Sequence, residues 1–157
     1  MKTMEYIEKT QNDNKAVTEI INGWGSDILV TRGNVYKAND LDGVLVYENN
    51  KIIGLGLYKI KYDCEIVLLE TFVQNKGIGT KIIEEIKKIA KKKDCKKVWV
   101  ITSNENINAI RFYQKRGFHL SNIYINAMEE ARKIKPEIPK FADGIEIRDE
   151  IEFEIKI

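Results

Sequence analysis

The sequence predicts a single α/β (α+β) domain, residues 1–157, whose sheet is mixed and mostly antiparallel, and three observations carry that expectation. Val44 to Tyr47 and Ile52 to Ile60 are β-branched and aromatic runs joined by Glu48-Asn49-Asn50-Lys51, the composition of a hairpin turn. Cys64 to Leu69, an amphipathic helix, and Lys96 to Thr102 form a strand, helix, strand succession long enough for a right-handed parallel crossover. Ile151 to Ile157 alternates apolar and charged residues, the pattern of a half-exposed strand.

The other elements follow in order. Met4 to Glu8 reads as a short strand, and Asp13 as the N-cap of a helix carrying Ala16, Val17, Ile20 and Ile21 and ending near Gly23. Ile28 to Thr31 looks extended, but Gly33, Asn34, Asn39, Asp40, Asp42 and Gly43 break the pattern, so residues 25–43 are expected to form a long surface segment. The crossover helix carries Ile82, Ile83, Ile86, Ile89 and Ala90 as its apolar stripe, with lysine and glutamate on the remaining surface. A second helix is expected from Asn106 to Arg116, closed by Gly117, and then a strand over Phe118 to Asn126. Ala127 to Gly144 reads as helical to about Lys133 and then extended through Pro136 and Pro139.

At 157 residues the chain is long enough to bury roughly 70% of its unfolded surface in one core. It is 43% hydrophobic and 32% charged, the composition of a globular protein rather than a disordered one. No apolar run approaches the roughly 20 residues of a spanning helix, so no membrane partner is expected. Glu5 and Glu8 interrupt the apolar stretch a secretory leader needs, which predicts a cytoplasmic protein. Cys64 and Cys95 stand far apart beside a single histidine, His119, so neither a disulfide framework nor a metal site is expected. A net charge of +2 carries no signature of nucleic-acid binding. The lysine run from Lys87 to Lys97 reads as a solvated helix face, with Glu84 placed to pair with Lys88.

The sharpest local feature is Gln74-Asn75-Lys76-Gly77-Ile78-Gly79-Thr80, between a strand and an amphipathic helix. Glycines bring successive N–H groups toward one point and the helix N-terminus adds partial positive charge, so a phosphate fits there. Neither the P-loop spacing nor the dinucleotide fingerprint is met, since Ile82 stands where the third glycine belongs. A glycine pair alone more often only shapes a loop than binds an anion. A second motif decides between the two: Asn106, Ala109, Phe112, Tyr113, Lys115, Gly117 and Phe118 make N-x-x-A-x-x-F-Y-x-K-x-G-F.

With these two motifs in this order, the chain resembles the GNAT superfamily of acyl-CoA-dependent N-acetyltransferases, whose signatures are Q/R-x-x-G-x-G/A after the fourth strand and N-x-x-A-x-x-F-Y after the fifth. The motifs cover about residues 65–118. The resemblance implies about seven strands flanked by three or four helices. It also implies that the fourth strand, Cys64 to Leu69, and the fifth, Lys96 to Thr102, run parallel and splay apart, with the C-terminal strand inserted beside the fifth. It implies acetyl-CoA (coenzyme A) as acyl donor, its pyrophosphate on the main chain of Gln74, Asn75, Lys76, Gly77, Ile78, Gly79 and Thr80, and its pantetheine arm against the backbone near Leu69 and Glu70. Asn106 takes the position of a side-chain contact to the coenzyme.

Tyr113 matches the tyrosine that protonates the departing thiolate, the competing reading being a packed core aromatic. A base must take a proton from the acceptor amine, and Glu65, on the strand that faces the acceptor in that family, is the choice. By alternation Asp63 shares its side and Glu70 lies on the opposite one. A solvated or cross-strand paired carboxylate is the alternative for Glu65. Trp24, Arg32 and Tyr36 lie in the segment that walls the acceptor cleft of the family, where they touch substrate or simply pack. The expected activity is acetyl transfer to a primary amine, on a small molecule or a peptide, by direct attack in a ternary complex without an acyl-enzyme. A catalytically silent module that binds coenzyme A or a protein partner is the alternative. The protein is expected as a monomer or homodimer, with Ala127 to Gly144 walling the substrate side or a subunit contact, or packing on its own domain.

Overall fold

Left-handed backbone at two pairs of residues folds the first third of the chain into hairpins. The computed structural model describes residues 3–23, 25–74 and 77–157. Along the chain these form β1 (Glu5–Glu8), α1 (Asn14–Asn22), β2 (Ile28–Thr31), β3 (Asn34–Lys37), β4 (Asp42–Glu48), β5 (Lys51–Ile60) and β6 (Cys64–Thr71). There follow α2 (Ile78–Lys92), β7 (Lys97–Ser103), α3 (Ile107–Lys115), β8 (His119–Tyr124), α4 (Ala127–Ile134), β9 (Phe141–Ala142), β10 (Ile145–Glu146) and β11 (Glu150–Lys156). Asn49 and Asn50, at φ 52° and 61°, make the expected tight turn between β4 and β5. Arg32 and Gly33, at φ 49° and 76°, make a second one between β2 and β3. Residues 25–43 are therefore a hairpin and a short 3-10 turn rather than a broken surface segment. An arginine in the first left-handed position concealed the turn, because asparagine, aspartate or glycine is the usual occupant.

One seven-stranded sheet runs in the order β1-β4-β5-β6-β7-β11-β8, with the β2–β3 and β9–β10 pairs outside it. Counted along the chain, the fourth and fifth strands are antiparallel, which corrects the expected numbering. The parallel neighbours are the sixth and seventh, β6 and β7, because the β2–β3 hairpin adds two strands ahead of them. Their pairing runs only from Cys64↔Val98 to Ile66↔Val100, after which the ladder stops. β11 lies between β7 and β8, as the C-terminal strand was expected to.

Each face of the sheet carries its own core. On one, α2 and α3 bury Ile78, Ile82, Ile83, Ile86 and Tyr113 against Ile66, Val98, Val100 and Phe153. α2 approaches closely because β5 is glycine there: a Cβ on Gly56 would lie 2.5 Å from Ile82 Cγ2, and one on Gly54 2.8 Å from Ile78 Cγ2. On the other face α1 packs Val17 and Ile21 on Leu45, Leu55, Leu57 and Val67. Asp13 stands at the N-cap of α1, but its carboxylate turns back to the Thr10 N–H (2.8 Å) and accepts the Tyr47 hydroxyl (3.0 Å).

Three further expectations change. The helix after Asn126 forms, but Pro136 to Pro139 is a turn closed by the Ile138 N–H on Lys135 O (3.2 Å), not an extended stretch. The charged side of β11 is covered over its first half, where Glu150 and Glu152 are 2% and 5% exposed, and opens to solvent toward Lys156. Finally, β6 is bulged. Leu57 and Tyr58 of β5 face Leu68 and Ile66, so Val67 is an extra residue in β6. Glu65 opposite Lys59, Leu68 opposite Leu57 and Glu70 opposite Leu55 thus point to one face, and Glu70 lies on the same side as Glu65.

Candidate active site

Where β6 and β7 part, a cleft of about 410 Å³ opens between the end of β6, the first turn of α2 and one side of α3 along its length. Leu69, Glu70, Gly77, Ile78, Gly79, Thr80 and Tyr113 line it, all of them expected at the site. Asn75 and Lys76 lie outside the described residues. Gln74 is exposed, and neither it nor Asn106 is part of the lining; Asn106 is the N-cap of α3, its Oδ1 accepting the Ala109 N–H (3.1 Å). Asn108, Phe112 and Arg116 line the cleft unforeseen. The i, i+4 spacing of Phe112 and Arg116 on a helix was the available signal, and the guanidinium does stack 3.7 Å over the Phe112 ring. Arg116 also donates Nε–H to Thr80 Oγ1 (2.8 Å), tying α3 to the first turn of α2.

Among the described residues no side chain caps the start of α2. Gly77 is its N-cap in left-handed conformation, φ 66°, and supplies no side chain to cap the first turn. The N–H groups of that turn are left to the cleft, where the helix dipole adds to them. A Cβ on Gly79 would meet Phe112 Cζ at 3.1 Å, so glycine is what keeps this wall close-packed and low. The arrangement fits a pyrophosphate on the main chain, with Arg116 the one basic side chain in the lining among the described residues.

Tyr113 projects from the core into this cleft. Its ring packs edge-on against Phe112 (5.3 Å) and Phe118 (5.4 Å) and stacks on Phe153 (6.4 Å), leaving the residue 6% exposed. Burial, with the Glu70 charge adding to it, raises the phenol well above its ordinary pKa, so the group keeps its proton. Tyr113 is thus at once part of the core and part of the cleft lining. The thiols play no comparable part: Cys64 is buried and pushed up to about 12 by burial, and Cys95 is shifted the same way.

A second cleft, about 360 Å³, lies over the starts of β6 and β7 and is roofed by the β2–β3 hairpin. Glu65, 2% exposed, forms part of its floor and accepts the Thr31 hydroxyl (2.7 Å) and the Tyr36 hydroxyl (2.9 Å). Burial pushes the Glu65 carboxyl up, against those hydrogen bonds and the charges of Arg32 and Lys61. Tyr36 is pushed up to about 12, by burial first and then by its bond to Glu65. Arg32 reaches in from the hairpin tip, donating to Glu152 Oε1 (3.1 Å) and lying over Trp99 (5.3 Å) and Tyr124 (4.9 Å). Glu152 also accepts the hydroxyls of Tyr124 and Ser121, both at 3.0 Å. Behind it Glu150 accepts the Arg32 N–H (3.2 Å), and its other oxygen is buried without a partner. The aromatic cage and the two β11 carboxylates were missed because β11 alternates like a strand with one wet face. Trp24 lies outside the described residues.

Other sequence features are structural. Lys87 and Lys88 pair with Glu84 and Glu85 at i, i+3, each at 3.3 Å, in place of the expected Glu84 to Lys88 pair. His119 is exposed on the edge strand. Among the described residues no group of side chains could hold a metal ion, and no helix is long and apolar enough to cross a membrane.

Comparison with known proteins agrees with this geometry. Two Bacillus subtilis (strain 168) proteins, YxbD and YdhI, are each 44% identical to the chain, over 131 residues (82% of both chains) and 133 residues (83% of both). An acetyltransferase from Elizabethkingia anophelis with acetyl-CoA bound superposes with a TM-score of 0.73 at 22% identity, covering 98% of each chain. A Bacillus cereus IAA acetyltransferase gives 0.74 at 17% identity, covering 99% of this chain and 100% of its own. A Bacillus subtilis acetyltransferase in complex with CoA gives 0.67 at 17%, covering 100% and 99%. The model of the Acetyltransferase (GNAT) family matches residues 10–118, and the chain belongs to that family.

Proposed function

We propose that the protein, acting as one domain over residues 1–157, transfers an acetyl group from acetyl-CoA to a primary amine by direct attack in a ternary complex. The uncapped N-terminus of α2, opening on a cleft beside the protonated phenol of Tyr113, is the observation that carries this reading. Acetyl-CoA brings the acyl group as a thioester, whose sulfur is a poor leaving group until it is protonated. Gly77, Ile78, Gly79 and Thr80 offer main-chain N–H groups to the pyrophosphate, and Leu69 and Glu70 lie where the β6 backbone has lost its β7 partner. Tyr113 supplies the proton to sulfur.

The acceptor enters by the second cleft, where Arg32 and Tyr36 meet it. It is a small-molecule or peptide amine. The reading needs no metal, nucleic acid or membrane, and it places the protein in the cytoplasm as a monomer or homodimer. Coenzyme A release across a panel of amines, run beside calorimetric titration of acetyl-CoA, tests it. Acetyl-CoA binding with turnover on at least one amine is expected. Tight binding with turnover on none would assign the chain to the silent coenzyme-binding module instead.

A further inference from the structure

The bulge at Val67 changes which carboxylate meets the reacting centre. In an unbroken strand Glu65 and Glu70, five residues apart, would point to opposite faces. The extra residue brings both to the face of the second cleft, while Glu70, standing where β6 and β7 have separated, also lines the cleft that holds Tyr113. Glu70 is the one carboxylate in that lining.

The two glutamates differ in what they have left to offer. Both oxygens of Glu65 already accept hydroxyl hydrogens, from Thr31 and Tyr36, and the residue is sealed at 2% exposure. A carboxylate so occupied is a hub that fastens the β2–β3 hairpin to the sheet. Glu70 has no side-chain hydrogen bond among the described residues and is half-buried, so its acceptor capacity faces the cleft. Tyr113 and Arg116 on α3 share this lining, Glu65 lies along its own face of β6, and β5 presents only Leu55. Burial pushes the Glu70 carboxyl up, and its charge is felt at the Tyr113 phenol.

We infer that Glu70, and not Glu65, takes the proton from the attacking amine. The inference rests on the acetyl-transfer reading. An ammonium gives one proton to the Glu70 carboxylate. The free amine nitrogen then forms a bond to the acyl carbon, the carbon–sulfur bond breaks, and the Tyr113 O–H proton goes to sulfur. The second proton on nitrogen returns to the Tyr113 oxygen, so the products are an amide, a thiol and one proton, which Glu70 releases to water. Glu70 works only when ionised, so activity falls as pH drops through its raised pKa, and this acid limb lies above the ordinary carboxylate range.

The test uses the intact protein with whichever amine of the panel turns over fastest, comparing Glu70→Gln, Glu70→Asp and Glu65→Gln. Glu70→Gln is expected to lower kcat/KM about 100-fold at neutral pH and to abolish the acid limb of its pH profile. It should leave the acetyl-CoA dissociation constant within about twofold. Glu70→Asp restores part of the rate and a limb. Glu65→Gln keeps the limb. A Glu70→Gln protein that binds acetyl-CoA and retains both rate and limb overturns the inference while leaving acetyl transfer standing. A wild-type protein that binds acetyl-CoA but acetylates no amine overturns both.

Discussion

The two clefts stand on opposite ends of the same strand and are built from different materials. The first is made by backbone: a bare helix N-terminus, a glycine that admits Phe112, and two strands that stop pairing after three residue pairs. The second is made by side chains, with Glu65 and Glu152 on the sheet and Arg32 lowered onto Trp99 and Tyr124 from a hairpin. A backbone cradle needs particular residues at particular spacings, whereas a side-chain cage can be assembled from distant strands by register alone. The difference teaches that, on the proposed reading of the two clefts, donor binding and acceptor choice can change independently in this chain.

The largest effect expected on the first cleft is from Tyr113→Phe. The ring keeps its packing on Phe112, Phe118 and Phe153, so steady-state assays should show kcat down about 100-fold while the melting temperature stays close to wild type. Unchanged kcat would make Tyr113 a core aromatic and nothing more. Gly79→Val comes next. Its Cβ starts 3.1 Å from Phe112, and the added branches fill the mouth of the cleft, weakening acetyl-CoA about tenfold by calorimetry, or about 1.4 kcal/mol.

On the second cleft, Arg32→Ala should raise the acceptor KM and leave acetyl-CoA affinity alone, a split that joint loss of both would refute. It also removes the partner of Glu152, but at 40% exposure of the Arg32 side chain solvent screens much of that pair, and chemical denaturation should report a loss of about 1 kcal/mol. The smallest change is Glu150→Gln. Burial holds the Glu150 carboxyl above its unfolded pKa, so the ionised form costs stability above that raised value, and the cost fades as pH falls toward the unfolded one. The variant should gain up to about 1 kcal/mol at pH 8 and lose the advantage near pH 4. A gain that grows on acidification would contradict the burial argument.

Sequence patterning made the first cleft legible because its determinants are contiguous. Gln74 to Thr80 and Asn106 to Phe118 are each one stretch of chain whose glycines, cap and aromatic pair are local necessities. The cage stayed hidden because Arg32, Trp99, Tyr124 and Glu152 are united only by the pairings of β7 with β11 and β11 with β8. Period-two alternation says which residues share a face of β11 but not that another element covers it, so Glu152 looked wet. Glu70 was misplaced for a related reason. A bulge is one residue without a partner, and nothing in Cys64-Glu65-Ile66-Val67-Leu68-Leu69-Glu70 marks Val67 as that residue.

The place of β11 between β7 and β8 has a consequence for how the molecule is made. Among the described residues β8 pairs with no strand but β11, so its backbone waits unsatisfied until Glu150 to Lys156 have been synthesised, 32 residues after Tyr124 at the last of them. At roughly 5–20 residues per second that is an interval of roughly two to six seconds in which nascent β7 has an open edge and Leu120 and Ile123 lack their neighbour. Slower elongation lengthens this window. A ribosome stalled between codons 124 and 150 would hold a chain with a complete donor motif and an unfinished sheet, a species suited to chaperone capture or aggregation rather than catalysis.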